Sequence, residues 1–280
     1  MDVTRAASVV AERARNGRLL VLTGAGISAE CGIPTFRGKE GYWTRGSKVY
    51  HPMELATHRA FVEQPATVWG WYLYRRSVCR AASPGAGHRA VADMARLLGE
   101  RFDLVTQNVD GLHARSGVPP ERMYEIHGNI DAYRCARACT TRTYPVPERF
   151  DDWPKDRIPD AEDLAALACP ACGGPGRPHV LWFDECYDEP RFRAESAMDA
   201  AARCDVLVVV GTSGATNLPM QIGALAVARK VPILDVNPED GPFGDLARRS
   251  PGGGVLRAKA GEVLPGLSSA IAGAVGARRE

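Results

Sequence analysis

The stretch Arg18-Leu-Leu-Val-Leu-Thr-Gly-Ala-Gly-Ile-Ser-Ala-Glu30 runs from an apolar segment straight into two glycines and then into a helical pattern. Short apolar runs that stop at glycine read as strands buried on both faces, the kind found in parallel sheets. The pattern returns in Phe102-Asp-Leu-Val-Thr-Gln107, Val206-Leu-Val-Val-Val210 and Val231-Pro-Ile-Leu-Asp-Val236. Helical spacing fills intervals between them, as in Gly87–Leu98 and Glu195–Arg203. Strands alternating with helices predict an α/β fold, a doubly wound, Rossmann-like parallel sheet. A last helix is expected near Leu264–Val275.

Two stretches break the alternation. Gly38–Arg80 is rich in aromatics and turns helical toward its end, and Cys135–Pro178 is rich in proline and cysteine. Both read as inserts that form a smaller lobe. The expected division gives residues 1–37, 81–134 and 179–280 to the sheet domain. A helical insert at 38–80 and a cysteine-bearing insert at 135–178 make up the rest.

Composition excludes several classes. With 280 residues, 45% hydrophobic and 24% charged, the chain resembles an ordinary globular protein and not a disordered one. Its 35 basic and 33 acidic residues leave a net charge of +2, without the single-sign field of a nucleic-acid binder. The apolar run inside Asp205–Gly211 is far too short to span a bilayer. Met1–Arg18 carries Asp2 and Glu12 and reads as an amphipathic first helix, not a signal peptide. A reducing, cytoplasmic location is therefore expected, and the eight cysteines are not expected to form a disulfide framework.

Four of those cysteines fall in two pairs, Cys135-x3-Cys139 and Cys169-x2-Cys172. Tetrahedral zinc takes such a thiolate set, and four protein ligands close its shell, so the expected metal is a structural Zn2+. The Gly24-Ala-Gly26 loop could bring backbone and a helix start to a phosphate, although Ala29 replaces the third glycine of a dinucleotide fingerprint. Alone, the loop is equally compatible with a structural turn. Asn108 and Asp110 lie two apart at a strand end, where ligands of open α/β sheets collect, though Asn-x-Asp-Gly is also a turn signal. His127, before Gly128 and beyond that turn, is the candidate general base.

The string Gly24-Ala-Gly-Ile-Ser-Ala-Glu-Cys-Gly-Ile-Pro-Thr-Phe-Arg-Gly38 resembles the signature of the sirtuins, NAD-dependent protein deacylases. Thr106–His113, Glu125–Gly128, Phe183–Glu185, Gly211–Ser213 and Asn237–Glu239 match in the same order, so the resemblance spans about residues 10 to 267. It implies NAD as cofactor, acylated lysine side chains of proteins as substrate, and His127 as the base acting on a ribose hydroxyl. It implies Asp110 at the nicotinamide carboxamide, Asn108 at a ribose and water network, and Gln107 at the cofactor ribose. Gly24, Ala25, Gly26, Ser28, Ile33, Phe36 and Arg37 would form the cofactor loop. Gly211, Thr212, Ser213, Asn237 and Ala260 would hold the adenosine side. Val180, Trp182 and Phe183 would wall the peptide cleft.

Tyr72 and Arg75 share a helix face at a spacing of three. An aromatic helix with solvated arginines is the plain reading. Within the sirtuins, however, Tyr-x-x-Arg resembles the desuccinylase and demalonylase subgroup, which implies acceptance of acidic acyl groups. Two departures from the family pattern stand out: Asp184 in Phe183-Asp-Glu185, and the longer segment Gly214-Ala-Thr-Asn-Leu-Pro219. They leave ADP-ribosyl transfer and a non-catalytic NAD sensor as alternatives to lysine deacylation.

Overall fold

A computed structural model of the chain describes residues 1–34, 43–45, 48–50 and 52–276. The N-terminal helix α1 (Val3–Ala14) leads into β1 (Leu19–Thr23) and the short α2 (Gly26–Ala29). A hairpin, β2 (Trp43–Arg45) and β3 (Lys48–Tyr50), precedes α3 (Pro52–Leu55), α4 (His58–Glu63) and the long α5 (Pro65–Ala81). The chain then forms α6 (Ala86–Leu98), β4 (Phe102–Thr106), α7 (Leu112–Arg115) and β5 (Met123–Glu125). Next come β6 (Gly128–Cys135), β7 (Thr143–Pro145), α8 (Ala161–Ala166) and β8 (Gly176–Val180). After α9 (Glu189–Phe192) and α10 (Ala194–Arg203), β9 (Val206–Val210) re-enters the large sheet. It is followed by α11 (Asn217–Ala228), β10 (Ile233–Val236), α12 (Pro242–Arg249), β11 (Gly254–Leu256) and α13 (Ala260–Gly276).

Six strands pair in the order β11-β10-β9-β1-β4-β5, all parallel. The apolar runs explain why. Every residue of β1, β4, β9 and β10 is buried, so neither face can meet water and helices must cover both. Alternate side chains split between the layers. Leu19 and Val21 face α1, α6 and α13, whereas Leu20 and Leu22 face α10, α11 and α12.

From β1 the chain builds outward through β4 to β5, then crosses back to β9 and builds the other way. The order reverses at β1 and β9, which makes the carboxyl ends of those strands the crevice where open α/β sheets take ligands.

The last helix starts four residues earlier than the sequence suggests, at Ala260, and carries Pro265 inside it. Proline lacks the N–H for an interior bond. The buried series Ala260, Val263, Leu264, Leu267 and Ile271 nevertheless holds the turn against the sheet. Among the described residues, no helix is long and apolar enough to cross a membrane.

A separate antiparallel sheet, β7-β6-β8, packs against α5 through its own apolar cluster. Trp69 of α5 donates its indole N–H to the carbonyl of Gly176 at 3.0 Å. Arg76, 2% exposed, forms ion pairs with Asp131 of β6 and with Asp151 at 2.8 Å each, and so ties the helix to the small sheet and to the insert.

Candidate active site and zinc lobe

The loop after β1 sits directly on the loop after β9. A Cβ on Gly24 would lie 2.8 Å from the Gly211 carbonyl, and one on Gly26 would lie 2.6 Å from the Gly211 Cα. Gly211 itself has φ +59°, while neither Gly24 nor Gly26 has positive φ. The glycines of the first loop are thus demanded by backbone packing between two loops. The Gly24 and Gly26 amides are spent on the Val210 and Gly211 carbonyls at 2.9 and 2.8 Å. Ala25 N-caps α2 between them.

Buried Ser28 anchors the first polar cluster. Its hydroxyl donates to Asp110 at 2.6 Å and accepts from the Asn108 amide at 3.1 Å. Asn108 also donates to the Gly24 carbonyl, and the other Asp110 oxygen accepts from the Leu112 amide at 2.9 Å. Both residues lie beyond the end of β4, so the strand spacing itself does not aim them; Ser28 gathers them. His88 Nε2 lies 3.4 Å from the same hydroxyl, and burial pulls its imidazole down to about 4. His113 Nε2 bonds Thr23 at 3.0 Å. The two imidazoles pack on each other with centroids 4.9 Å apart.

The second cluster joins β4 to β9. Gln107 donates from its amide to Thr212 at 2.8 Å and accepts from Thr216 at 2.9 Å. Asn237 donates to the Thr212 carbonyl at 3.0 Å, while Ser213 is exposed at the loop tip. Ala260 is buried at the start of α13, and Ile33 is buried against the small-lobe cluster. Phe36 and Arg37 lie outside the described residues.

His127 lies between β5 and β6. Its Nδ1 lies 3.0 Å from the Gln107 carbonyl. A carbonyl only accepts, so Nδ1 carries the proton and Nε2 keeps the lone pair. Burial pulls this imidazole down to about 4 against the opposing pull of that carbonyl, so at neutral pH it is an uncharged base. Gly128 follows at φ +83°, with no room for a Cβ beneath the His179 carbonyl, which lets β6 cross β8 beside the base.

One residue here escaped sequence reasoning. Tyr187 places its hydroxyl 2.9 Å from His127 Nε2 and stacks on the ring, with centroids 5.9 Å apart. It comes from the loop before α9, sixty positions away, and no spacing rule links the two.

The neighbouring loop also explains the Asp184 departure. Its carboxylate receives the backbone N–H groups of His58 at 2.7 Å and Arg59 at 3.2 Å, which caps α4. Glu185 binds the Arg177 guanidinium through both oxygens, and that guanidinium lies 3.4 Å over the Trp182 ring. Trp182 and Val180 are buried in the small-lobe core, which leaves Phe183, 54% exposed, as the open side chain of the three. The longer segment is no extended strand: Gly214 turns at φ +66°, and Asn217–Pro219 form the first turn of α11.

Tyr72 is buried, and its hydroxyl accepts from the Trp182 indole at 2.9 Å. One turn on, Arg75 packs over the Trp71 ring at 5.3 Å. Burial pulls its guanidinium below the ordinary value, opposed by the fields of Cys79, Tyr72 and Asp110. The phenol is buried and the cation half-buried one turn on, and each acts on the other's charge.

The four cysteines converge, all Sγ atoms lying within 4.8 Å of one another. Cys135 and Cys172 sulfurs are 3.6 Å apart, as are those of Cys139 and Cys169. Sulfurs at the corners of a tetrahedron about zinc, with bonds of about 2.3 Å, stand roughly 3.8 Å apart, so the donor set fits. The extra residue of the first pair is absorbed by Ala138, which takes φ +52°. Burial raises the Cys135 thiol, but the Cys139 and Arg137 amides and the neighbouring thiols outweigh it and bring it down to about 6.

Six parallel strands in this order, polar clusters at the reversal point and a lobe with four convergent thiols define a Rossmann-like α/β protein with a structural zinc site. The Sir2 family model matches residues 24–217, and the chain belongs to the Sir2 family. It is similar to NAD-dependent protein deacylase 1 of Pseudomonas aeruginosa, with 40% identity over 252 residues, 89% of this chain and 92% of that protein. It is also similar to the NAD-dependent protein deacylase of Thermus thermophilus, with 41% identity over 83% of this chain and 84% of that protein. Among solved structures, a Sir2 homologue mutant in complex with 2'-O-acetyl ADP ribose superposes with a TM-score of 0.80 at 35% identity, covering 98% of each chain. A Sir2 homologue–NAD complex gives 0.79 at 34% identity, covering 98% of this chain and 95% of that one.

Proposed function

We infer that this protein is an NAD-dependent protein-lysine deacylase that transfers the acyl group to ADP-ribose and releases nicotinamide. The observation that carries the reading is the uncharged His127, held through Nδ1 by the carbonyl of Gln107, in the turn whose Asn108 and Asp110 meet at Ser28. Asp110 and Asn108 would bind the nicotinamide carboxamide and the adjoining ribose. Gln107, Gly211, Thr212, Ser213, Asn237 and Ala260 would hold the ribose and adenosine portions, with Gly24, Ala25, Gly26, Ser28, Ile33, Phe36 and Arg37 as the remaining cofactor loop. Attack of the acyl oxygen on the anomeric carbon displaces nicotinamide; His127 then takes a proton from a ribose hydroxyl so that its oxygen can attack the bound acyl carbon.

Residues 1–37, 81–134 and 179–280 form the NAD-binding domain in this reading, and 38–80 with 135–178 the small one. Cys135, Cys139, Cys169 and Cys172 hold zinc there as a fixed scaffold, with no ligand position left for chemistry. Tyr72 and Arg75 would receive an acidic acyl group through charge-assisted hydrogen bonds, with Val180, Trp182 and Phe183 nearby on the substrate side. The setting is the cytoplasm, and nucleic acid is not a partner.

The test is mass spectrometry of matched acetyl-lysine and succinyl-lysine peptides with NAD. Both peptides should lose their acyl groups, and Arg75→Met should cut succinyl turnover at least tenfold while sparing acetyl turnover. Succinyl turnover unchanged by Arg75→Met removes the acidic-acyl assignment. Two inert peptides remove deacylation itself.

A further inference from the structure

We propose that Tyr187 is a further catalytic residue, a proton relay between the substrate ribose hydroxyl and His127. The inference rests on the deacylase reading above and concerns the step in which the base acts.

His127 Nε2 has one lone pair once Nδ1 has donated to the Gln107 carbonyl, and the Tyr187 hydroxyl stands on it at 2.9 Å. The base is held from its other side as well. Thr216 donates its one hydroxyl proton to Gln107 Oε1 at 2.9 Å, and the Gln107 carbonyl accepts from His127 Nδ1. Stacking of the phenol on the imidazole fixes the approach, with an interplanar angle of 28°. Tyr187 follows two residues after Phe183-Asp-Glu185, where Asp184 departs from the sirtuin pattern, and Thr216 lies in the departing segment Gly214–Pro219. Asp184 pins the first of these stretches to α4, and the second opens α11.

A substrate hydroxyl cannot share the Nε2 lone pair with Tyr187. Either the phenol leaves, or it conducts the proton. The relay keeps every observed bond in place. The ribose O–H breaks and its proton bonds to the Tyr187 oxygen; in the same event the Tyr187 O–H breaks and its proton bonds to Nε2. The ribose oxygen keeps the electron pair, and imidazolium forms with Nδ1–H still on the Gln107 carbonyl. Burial, opposed by Thr216, pushes the phenol up to about 12, so it passes a proton in concert and does not ionise. Among the described residues, no ionisable side chain adds to burial and the Gln107 carbonyl in setting the His127 imidazole.

The order of events gives a specific readout, because nicotinamide leaves before the base acts. In rapid-quench assays with an acetyl-lysine peptide, Tyr187→Phe should retain the first-turnover burst of nicotinamide and slow deacylated-peptide formation at least tenfold, with KM for NAD within twofold. Thr216→Val should act in the same direction, more weakly, and provides the test should the phenylalanine variant melt early. Cys186→Ser, exposed and adjacent, should change neither step. Loss of both steps in Tyr187→Phe would make the residue merely structural, and equal or faster product formation would make the phenol an obstruction; each overturns the relay. A wild-type enzyme showing neither step would instead remove the underlying deacylase reading.

Discussion

Gly128 follows the candidate base His127, and its backbone at φ +83° under the His179 carbonyl leaves no space for a side chain. Gly128→Ala therefore combines left-handed strain with a backbone clash. It should cost more than about 2 kcal/mol and displace His127. The expected outcome is a lower Tm together with a kcat reduced at least tenfold; an alanine variant with wild-type Tm would contradict the packing described. At this scale the sequence did single out the residues that meet in the two polar clusters. Ser28, Asn108, Asp110 and Gln107 stand in contiguous strings whose order is informative, and they meet within hydrogen-bond distance. Tyr187 was not legible, because its partner lies across the cleft and a tyrosine among acidic residues carries no spacing signal.

Elements were legible where burial was complete. The runs at β1, β4 and β9 are apolar because the sheet is covered on both faces, and their bounds fall within a residue of those read from the sequence. The short edge strands β5 and β11 went unread, being three residues each with one partly exposed position. In the insert, strand pairing is set by contacts across forty residues and by the cysteine cluster, so periodicity says little there. The two departures from the family pattern have local physical causes. Asp184 accepts the first two amides of α4 beside the Thr57 cap, and the Gly214 turn carries the chain straight into α11.

At the scale of the whole molecule, buried ionisable groups make stability depend on pH. Burial pulls His88, His127 and His179 down to about 4 and His113 well below its ordinary value. Between the ordinary histidine value of about 6.5 and about 4, the unfolded chain binds protons that the native state refuses, so these groups destabilise the fold as pH falls. Two carboxyls oppose them. Burial pushes Glu125 up to about 7 and Asp235 up to about 6, so the native state holds protons there that the unfolded chain has released. Four histidines outweigh two carboxyls across most of that window. Tm should fall steadily from pH 7 to pH 5; a Tm that rises toward acid would show that the histidines are not buried neutral.

The two-lobed fold, the zinc scaffold and the clusters at the strand reversal converge on a single claim, that NAD cleavage is coupled to removal of an acyl group from lysine. The most direct measurement is the product balance of one reaction: nicotinamide, deacylated peptide and O-acyl-ADP-ribose, with His127→Ala beside the wild type. The account predicts the three products in equal amounts from the wild type and no O-acyl-ADP-ribose from the variant. Nicotinamide released without deacylated peptide would contradict it and make the protein an enzyme that spends NAD on another acceptor.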